Sequence, residues 1–340
     1  MKTIADNPAV LRDLSSQFWH CALSPVIAFS LLFLISMCSP AVAQPAVEKP
    51  APNLTPHRVA QNTYYVEGVS ALGSTQNRNF ISNAGFVVTS KGVVVIDALG
   101  SPALAAELIA EIAKVTPQPV THVIVTHYHA DHIYGLQEFK ARGAKILAHR
   151  RALEYLNSDT ARLRLEVSRK DLAPWVNENT RLVEADEWID DQRELTVGDT
   201  RFTLIPAGPS HTPEDLIVYL PQHKVLFAGD LVFSRRIPFV GQADSKGWIA
   251  ALDQLLQLDS AVIVPGHGPA SASARDDLLL TREYLTHLRN VMKEAARNLD
   301  PWEDAYKKAD WSKFDRLPLF QSANRINAYN TYLLLEKDPE

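Results

Sequence analysis

The stretch VTHYHADHIYG, residues 125–135, places three histidines and one aspartate within six consecutive positions. It continues the run HVIV, whose β-branched residues are typical of a buried strand. Because alternating residues of an extended segment point to the same side, His127 and His129 can converge on one ion. A turn after them then brings Asp131 and His132 to a neighbouring point. The spacing therefore predicts that one strand-end segment binds two metal ions.

Three further polar residues lie at the ends of apolar runs, each next to a turn-forming residue. They are His211 in GPSHTPED, Asp230 in VLFAGDLVF and His267 in VIVPGHGPA. The ends of neighbouring strands meet at one edge of a sheet, so these side chains are expected at a common rim. Neutral imidazole and carboxylate are suitable ligands for zinc. A single histidine is better explained as a hydrogen-bonded surface residue, whereas this clustering favours a metal site.

The composition is that of a globular protein, and it excludes several classes. Of the 340 residues, 46% are hydrophobic and 21% are charged, which permits a full core and argues against a disordered chain or a coiled coil. The net charge is -5, and lysine and arginine are scattered along the sequence. Since no basic cluster is available to neutralise phosphates, we expect a small-molecule substrate and not nucleic acid as the partner.

The first fifty residues differ from the remainder of the chain. An apolar run from Pro25 to Cys38 is followed by AVAQ and a Pro/Ala-rich stretch. This layout predicts a secretory signal peptide at residues 1–43 and a linker at residues 44–56, with the mature protein periplasmic or secreted. The run is short for a membrane span, which needs about 20 apolar residues, so an uncleaved membrane anchor is the alternative.

Both cysteines of the chain, Cys21 and Cys38, lie in the segment that is expected to be removed. The mature protein then contains no thiol. This excludes structural disulfides, thiolate nucleophiles and cysteine-ligated metals together. Any metal site must be built from histidine and carboxylate.

The sequence after the linker alternates between strands and helices. Ser101 and Pro102 fit the N-cap and the first position of a helix whose large apolar residues share one face. Hairpins are predicted through Gly198–Asp199 and Pro221–Lys224, and one long amphipathic helix from Ser271 to Leu299.

The order strands, helix, strand, helix occurs twice along the chain. This arrangement predicts two sheets packed face to face with helices outside, which is an α/β fold. We place this domain at residues 57–275 and a C-terminal helical extension at residues 276–340. A polar stretch that runs to about Asn179 carries no predicted element.

These motifs together resemble those of the metallo-β-lactamase superfamily of hydrolases. The likeness spans roughly residues 60–270 and rests on HYHADH, then His211, then the Gly229–Asp230 step, then PGHG. One such histidine motif arises by chance far more easily than the ordered set. The resemblance implies a four-layer αβ/βα sandwich, the metallo-β-lactamase fold.

The resemblance also implies a role for each residue of a dinuclear site. His127, His129 and His211 would bind one metal, Asp131, His132 and His267 would bind the other, and Asp230 would bridge them. Asp97, which ends GVVVID, is similar to an aspartate that supports the histidine segment in this family. A turn residue that precedes a helix is the alternative interpretation of Asp97.

The expected cofactor is two Zn²⁺ per chain, with iron as the alternative. Two metals about 3.5–4 Å apart can hold a bridging hydroxide and polarise a substrate oxygen, so no protein nucleophile is required. Asp131 would orient this hydroxide and pass a proton to the leaving group. The predicted reaction is attack on an ester, thioester, lactone or amide (lactam) carbonyl.

Asp230 indicates which branch of the superfamily the sequence resembles. Lactamases that use a cysteine ligand carry it near this position, whereas an aspartate here resembles glyoxalase II thioesterases and their relatives. The sequence around GDLVFSRRIPFVGQ and VIVPGHGPA is similar to that of exported hydrolases encoded beside sulfur-oxidation or quinoprotein dehydrogenase systems. That subgroup implies a periplasmic dehydrogenase system as a partner.

Three alternative functions stay open on the sequence. The first is a class B-like β-lactamase activity, since the remaining lactamases share the histidine segment. The second is a mononuclear iron persulfide dioxygenase, which uses a similar segment with one iron. The third is a metal-binding accessory protein without catalysis.

Residues that follow Asp230 closely are candidates for the substrate mouth. They are Arg235, Arg236 and Phe239, with Trp248 nearby. The alternative is that the arginines are solvated and that Trp248 is a core residue on a helix face.

Overall fold

Two mixed sheets form the centre of the computed structural model, which describes residues 53–337. The first sheet has seven strands in chain order across the sheet: β1 (His57–Ala60), β2 (Thr63–Val66), β3 (Ala84–Thr89), β4 (Gly92–Ile96), β5 (Val120–Ile124), β6 (Lys145–His149) and β7 (Glu187–Ile189). The second has five, in the order β12-β11-β10-β9-β8: β8 (Arg193–Val197), β9 (Thr200–Pro206), β10 (Leu216–Leu220), β11 (Val225–Phe233) and β12 (Val262–His267).

The pairing of neighbouring strands changes once across each sheet, between antiparallel and parallel. Strands β1 to β4 are antiparallel to their neighbours, and β4 to β7 are parallel. In the second sheet β11 and β12 are parallel, and the other pairs are antiparallel. Both predicted hairpins are confirmed, because Gly198–Asp199 joins β8 to β9 and Pro221–Lys224 joins β10 to β11.

Nine helices lie in the described part of the chain. They are α1 (Pro102–Val115), α2 (Ala130–Ile133), α3 (Leu136–Lys140), α4 (Ala152–Leu156), α5 (Asp159–Asp171), α6 (Ser245–Leu255), α7 (Ala274–Asn298), α8 (Trp302–Lys308) and α9 (Phe320–Lys337). Between residues 53 and 337, none of them combines the length and the apolar character that a membrane crossing requires.

Alternation along β4 shows how the layers are built. Val93 and Val95 pack into a core shared with α1, whereas Val94 and Ile96 pack into a core shared with the second sheet. A third core lies between the second sheet and helices α6, α7 and α9. Since both faces of the central strands are covered, their sequences are continuous apolar runs. The predicted αβ/βα sandwich with C-terminal helices is confirmed.

Helix α1 begins as the sequence predicts. The Ser101 hydroxyl accepts a hydrogen bond from the backbone N–H of Leu104 at 3.3 Å, and Pro102 is the first helical residue. Leu104, Leu108 and Ile112 are buried against the first sheet. The helix therefore covers the strand that leads into the histidine segment.

Helix α5 lies in the polar stretch for which no element was predicted. Ser158 caps it by accepting from the N–H of Ala161, and ion pairs such as Arg162–Glu166 line its exposed side. Its apolar stripe is weak because only three of its residues, Ala161, Leu165 and Ser168, are buried. Periodicity alone does not reveal such a helix.

The helix that follows the second sheet crosses the predicted domain boundary. The long helix α7 covers Ala274–Asn298, so a division between residues 275 and 276 falls inside its first turn. The predicted signal peptide at residues 1–43, with Cys21 and Cys38, lies outside the described residues, as does most of the predicted linker.

Candidate metal centre

The histidine segment leaves the end of β5 and turns into the short helix α2. Val123 and Ile124 at the end of β5 are fully buried on opposite faces of the first sheet, which anchors the segment in the core. His129 lies directly before α2 with φ -86° and ψ 151°, and Asp131 and His132 are helical. The turn that was expected after His129 is therefore the first turn of a helix.

The other three predicted ligands come from the second sheet. His211 lies between β9 and β10, and His267 is the last residue of β12. Asp230 lies inside β11, which continues to Phe233, so its expected place at a strand end is corrected. The pairing of β11 with β12 is irregular on both sides of Gly229, and this irregularity re-aims the strand near Asp230.

All seven predicted ligand side chains converge at one edge of the sandwich. They form two groups in which the potential ligand atoms lie within 4.8 Å of one another: His127, His129, His211 and Asp230 in one, and Asp131, His132 and His267 in the other. These groups match the two sets that the resemblance implies.

The Asp230 carboxylate lies between the two groups. Its Oδ2 is 3.8 Å from Nε2 of His127 and 3.4 Å from Nε2 of His211. Its Oδ1 is 3.2 Å from Nε2 of His132, and its Oδ2 is 3.3 Å from Nε2 of His267. One carboxylate thus faces histidines of both groups, which is the position of a bridging ligand.

Two glycines permit the close packing of the backbone around Asp230. Gly229 has φ +51°, a conformation that glycine adopts without the steric penalty of other residues. At Gly266 on the neighbouring strand, a Cβ atom would lie 2.0 Å from Oδ1 of Asp230. The close approach of β11 and β12 at the site therefore requires glycine at position 266.

The outer nitrogens of three histidines have hydrogen-bond partners that orient the rings. Nδ1 of His132 lies 2.9 Å from Oδ2 of Asp97, and Nδ1 of His267 lies 2.7 Å from the carbonyl oxygen of Ile81. Nδ1 of His127 lies 3.1 Å from the Thr126 hydroxyl. In each case Nε2 is left to point inward, as in metal sites whose ligands are fixed by outer partners.

Asp97 ties the histidine segment to β4. Its Oδ1 accepts from the N–H of Thr126 at 2.8 Å, and its Oδ2 accepts from the Thr126 hydroxyl at 2.8 Å. Asp97 is buried and adopts φ +62°, which is uncommon for a residue other than glycine. A single carboxylate therefore orients His132 and the backbone that precedes His127.

Burial and neighbouring charges set the ionisation of the site. Burial lowers the pKa of His211 to about 3 and lowers the pKa of His127 well below its ordinary value. Burial alone would raise the pKa of Asp230, but the surrounding histidines, led by His267, hold it well below its ordinary range. Neutral imidazole and ionised carboxylate are the forms that bind a metal.

The second group differs in its proton balance. Burial opposes the charged form of His132, but Asp230, Asp131 and Asp97 together raise its pKa well above the ordinary value. These carboxylates favour the protonated form of this imidazole, whereas a metal ion binds the neutral form.

The donor set fits divalent metal ions. Nε2 of His127, Nε2 of His132 and Oδ1 of Asp230 are buried and have no hydrogen-bond partner among the described residues. Buried polar atoms without partners are rare in native proteins. Imidazole nitrogen and carboxylate oxygen are the ligands that zinc takes when no cysteine is present. The residues present can thus hold two such ions.

The candidate mouth residues differ in their exposure. Arg235 is exposed, and Phe239 is 48% exposed. Arg236 is buried, with Nη1 3.4 Å from Nδ1 of His267. Trp248 is a core residue, fully buried with its indole N–H donated to the carbonyl of Leu231, although its ring lies 5.0 Å from that of His211.

A cavity of about 210 Å³ opens next to Asp131. Its lining includes Arg164, Val167 and Ser168 of helix α5, together with Ile81. No motif in the sequence points to these residues. The cap at Ser158 was the available signal for α5, but nothing in the sequence places that helix beside Asp131.

A family model and individual relatives match this chain. The model of the metallo-beta-lactamase superfamily matches residues 77–267, more than half of the chain. A metallo-beta-lactamase type 2 of Bacillus sp. (strain 170) is 32% identical over 202 residues, which are 58% of this chain and 70% of that protein.

Solved structures show the same fold. The metallo-beta-lactamase from Pontibacter korlensis aligns with a TM-score of 0.54 at 23% identity, covering 69% of this chain and 99% of that chain. The inverting sec-alkylsulfatase Pisa1 from Pseudomonas sp. aligns with a TM-score of 0.66 at 19% identity, covering 83% of this chain and 50% of that chain. With the family match, the fold and the two His/Asp groups in agreement, the chain belongs to the metallo-β-lactamase superfamily and is a metal-dependent hydrolase.

Proposed function

We propose that the protein hydrolyses an ester, thioester, lactone or lactam bond of a small molecule, with two zinc ions held by the seven converging side chains. The observation that carries the proposal is the position of Asp230, whose carboxylate oxygens lie 3.2–3.8 Å from histidine nitrogens of both groups. When bound, such a pair of ions supplies Lewis acidity and lowers the pKa of water towards about 7.

The residues of the chain then have separate tasks. The five histidines, Asp131 and Asp230 hold the ions, and Asp97 keeps His132 in the orientation that directs its Nε2 inward. Asp131 lines the cavity beside the site, and its side chain is 16% exposed, whereas that of Asp230 is 5% exposed. We assign to Asp131 the acceptance of a proton from the attacking water and its return to the leaving group.

The cavity next to Asp131 is the proposed substrate site. Val167 and Ile81 offer apolar surface to a bound molecule, and Arg164 and Ser168 offer polar groups. A concave site with few polar groups at defined positions is typical of small-molecule recognition. The candidate mouth residues Arg235, Arg236 and Phe239 do not line this cavity, and we propose that they contact the substrate from the side of His267, beside which Arg236 lies.

A panel of leaving groups tests the reaction. Zinc-loaded protein is incubated with nitrocefin, a thioester, a lactone, an aryl sulfate and a phosphodiester, and product release is measured for each. We expect turnover of at least one carbonyl substrate and loss of that turnover in Asp131→Asn. Turnover of the thioester would support the likeness to glyoxalase II that Asp230 suggests, and turnover of nitrocefin would instead support β-lactamase activity. The absence of turnover on every substrate, with two zinc ions bound, would favour the accessory protein.

Sulfate-ester hydrolysis is a second candidate. The likeness to the sec-alkylsulfatase covers 83% of the chain. This is a larger share than residues 1–267 make up, and the family match ends at residue 267. The shared shape therefore includes part of the C-terminal region. Hydrolysis of the aryl sulfate alone in the panel would establish this candidate and overturn the carbonyl substrate.

Metal analysis separates the proposal from a dioxygenase. About two zinc ions per chain in protein purified without added metal would support hydrolysis. One iron per chain, with oxygen consumption in the presence of a persulfide, would support the mononuclear iron enzyme instead.

We also propose that the protein is exported and acts in the periplasm or outside the cell, beside a periplasmic dehydrogenase system. The proposal rests on the apolar run and the AVAQ motif in residues 25–44. N-terminal sequencing of the protein recovered from cells tests it. A first residue at Gln44 would support export with cleavage, and an intact N-terminus in the cytoplasm would contradict it.

A further inference from the structure

The segment that follows β11 connects the metal centre to the C-terminal helices. We call residues 234–241 the mouth loop, because it contains the three candidate mouth residues. At its start, the backbone N–H of Ser234 donates to the carbonyl of His267 at 3.0 Å, and Arg236 packs beside the same histidine. The position of this loop therefore places Ser234 and Arg236 next to the candidate metal ligand His267.

The far part of the mouth loop is held by one side chain of α9. The N–H of Val240 donates to Oδ1 of Asn327 at 3.0 Å, and Nδ2 of Asn327 donates to the carbonyl of Pro238 at 2.7 Å. The second hydrogen of Nδ2 is donated to the hydroxyl of Tyr284 at 2.9 Å. The Oδ1 atom and both Nδ2 hydrogens of this completely buried amide are therefore hydrogen-bonded, which favours a single conformation of the loop.

The same network contains a second buried asparagine that does not touch the loop. Asn324 lies three residues earlier on α9 and is also completely buried. Its Oδ1 accepts from the hydroxyl of Tyr284 at 2.8 Å, and its Nδ2 donates to the hydroxyl of Tyr306 at 3.3 Å. Asn324 therefore connects the C-terminal helices to one another, whereas Asn327 connects them to the mouth loop.

Besides Asn327, the buried side chain of Val240 holds this part of the loop, because it packs into the core shared with the C-terminal helices. One further backbone bond joins the loop to the C-terminal region, from the N–H of Ile237 to the carbonyl of Pro318 at 3.1 Å. Phe239 is 48% exposed and Gly241 has φ +54°, so neither of these two residues anchors the loop through its side chain. Removal of the amide would leave the N–H of Val240 and the carbonyl of Pro238 to find other partners.

We propose that Asn327 is a positioning residue that fixes the mouth loop against the metal centre, so that the C-terminal helices take part in substrate selection. This inference rests on the proposed function. It connects helix α9, which lies outside the matched residues 77–267, to the site through the mouth loop. Asn327 touches no metal ligand, and it acts through the backbone of Pro238 and Val240.

Hydrogen exchange tests the proposal without any substrate. Amide exchange of residues 237–241 is measured in zinc-loaded wild-type protein, in Asn327→Ala and in the matched variant Asn324→Ala. We expect exchange at Val240 to be at least about tenfold faster in Asn327→Ala than in wild type, because its acceptor is lost. Asn324→Ala is expected to leave Val240 unchanged, and both variants should keep two zinc ions.

Equal exchange at Val240 in wild type and Asn327→Ala would overturn the proposal. Equal acceleration in both variants, or zinc loss in Asn327→Ala, would also overturn it, because either result indicates a general loosening of the fold. If Asn327→Ala does not fold, Asn327→Gln retains the amide on a longer side chain. Exchange at Val240 in the glutamine variant should then be faster than in wild type, and unchanged exchange would contradict the positioning role.

Kinetics on any substrate of the panel distinguish positioning from chemistry. Since the metal ligands stay in place, Asn327→Ala should raise KM several-fold and change the ratio of kcat/KM between two substrates, with a smaller effect on kcat. A variant with wild-type selectivity would count against the proposal. A failure of the panel as a whole would refute the proposed function, while the exchange result would still stand.

Discussion

Asp230 faces candidate ligands of both groups. Its carboxylate lies against His127, His132, His211 and His267, and all five side chains are buried. In Asp230→Ala the histidines would remain, but the charge shared by the two groups would be gone. We expect less than two zinc ions per chain and no measurable turnover, with the fold retained in circular dichroism.

The same measurement on His129→Ala provides a comparison. His129 belongs to one group only, with its Nδ1 3.1 Å from Nε2 of His211. We expect this variant to lose metal and turnover as well, with the fold kept. Two zinc ions and full turnover in purified Asp230→Ala would show that the bridging assignment is wrong.

Asp97 acts on the site through His132 and Thr126, and its replacement makes a graded prediction. Loss of an outer partner typically costs about 10–100-fold in metal affinity. In Asp97→Ala we therefore expect zinc affinity to fall by about this factor, as measured by competition with a chelator. Asp97→Asn can still accept from the N–H of Thr126, so its zinc affinity should lie between those of wild type and Asp97→Ala. An unchanged zinc affinity in Asp97→Ala would remove the orienting role.

At the scale of the elements, the contact between β11 and β12 shapes the site. A Cβ at position 266 would lie 2.0 Å from Oδ1 of Asp230 and 2.8 Å from its backbone nitrogen, so rotation of the side chain cannot relieve the clash. In Gly266→Ala we expect a stability loss of about 1–3 kcal/mol and a zinc content below two. Thermal unfolding and metal analysis of the purified variant check both.

A glycine remote from the site serves as the control. Gly143 has φ +82°, and a Cβ atom added there would meet no other atom within 4 Å. Gly143→Ala should lose stability through its backbone conformation alone and keep both zinc ions. Full zinc content in Gly266→Ala would mean that the strands separate without disturbing Asp230.

The elements also show what sequence can predict. The N-cap at Ser101, both hairpins and the apolar strands were predictable because each depends on local chemistry and on a regular period. Helix α5 was missed because its apolar stripe is too narrow, and the place of Asp230 inside β11 was missed because an irregular pairing follows Gly229. The positioning role of Asn327 has no local signal, since a buried asparagine in a helix has the same sequence appearance as an exposed one.

At the scale of the whole molecule, the helices after residue 273 cover the outer face of the second sheet. Their buried residues include Leu278, Leu285, Leu288 and Met292 of α7, and they pack against strands β10 and β11. Each such side chain contributes about 1.5–3 kcal/mol, and the net stability of a domain is about 5–15 kcal/mol. We expect a chain truncated after residue 272 to be insoluble or unfolded, as tested by solubility and thermal unfolding.

A soluble, cooperatively folding truncation would contradict this expectation and would make the C-terminal helices a separate unit.

The ligand set, in contrast, was predictable for the whole molecule. The motifs lie far apart in the sequence, but each follows or interrupts an apolar run, and the sandwich brings those positions to one edge. The cavity wall was not predictable, because it depends on how α5 packs beside residues 73–81.

We propose that Asp230 lies between two metal ions held by the two His/Asp groups. Anomalous scattering at the zinc edge from crystals of the zinc-loaded protein tests it most directly. We predict two peaks per chain, one among His127, His129 and His211 and the other among Asp131, His132 and His267, with the Asp230 carboxylate between them. A single peak, or two peaks with Asp230 turned away from one of them, would contradict the account.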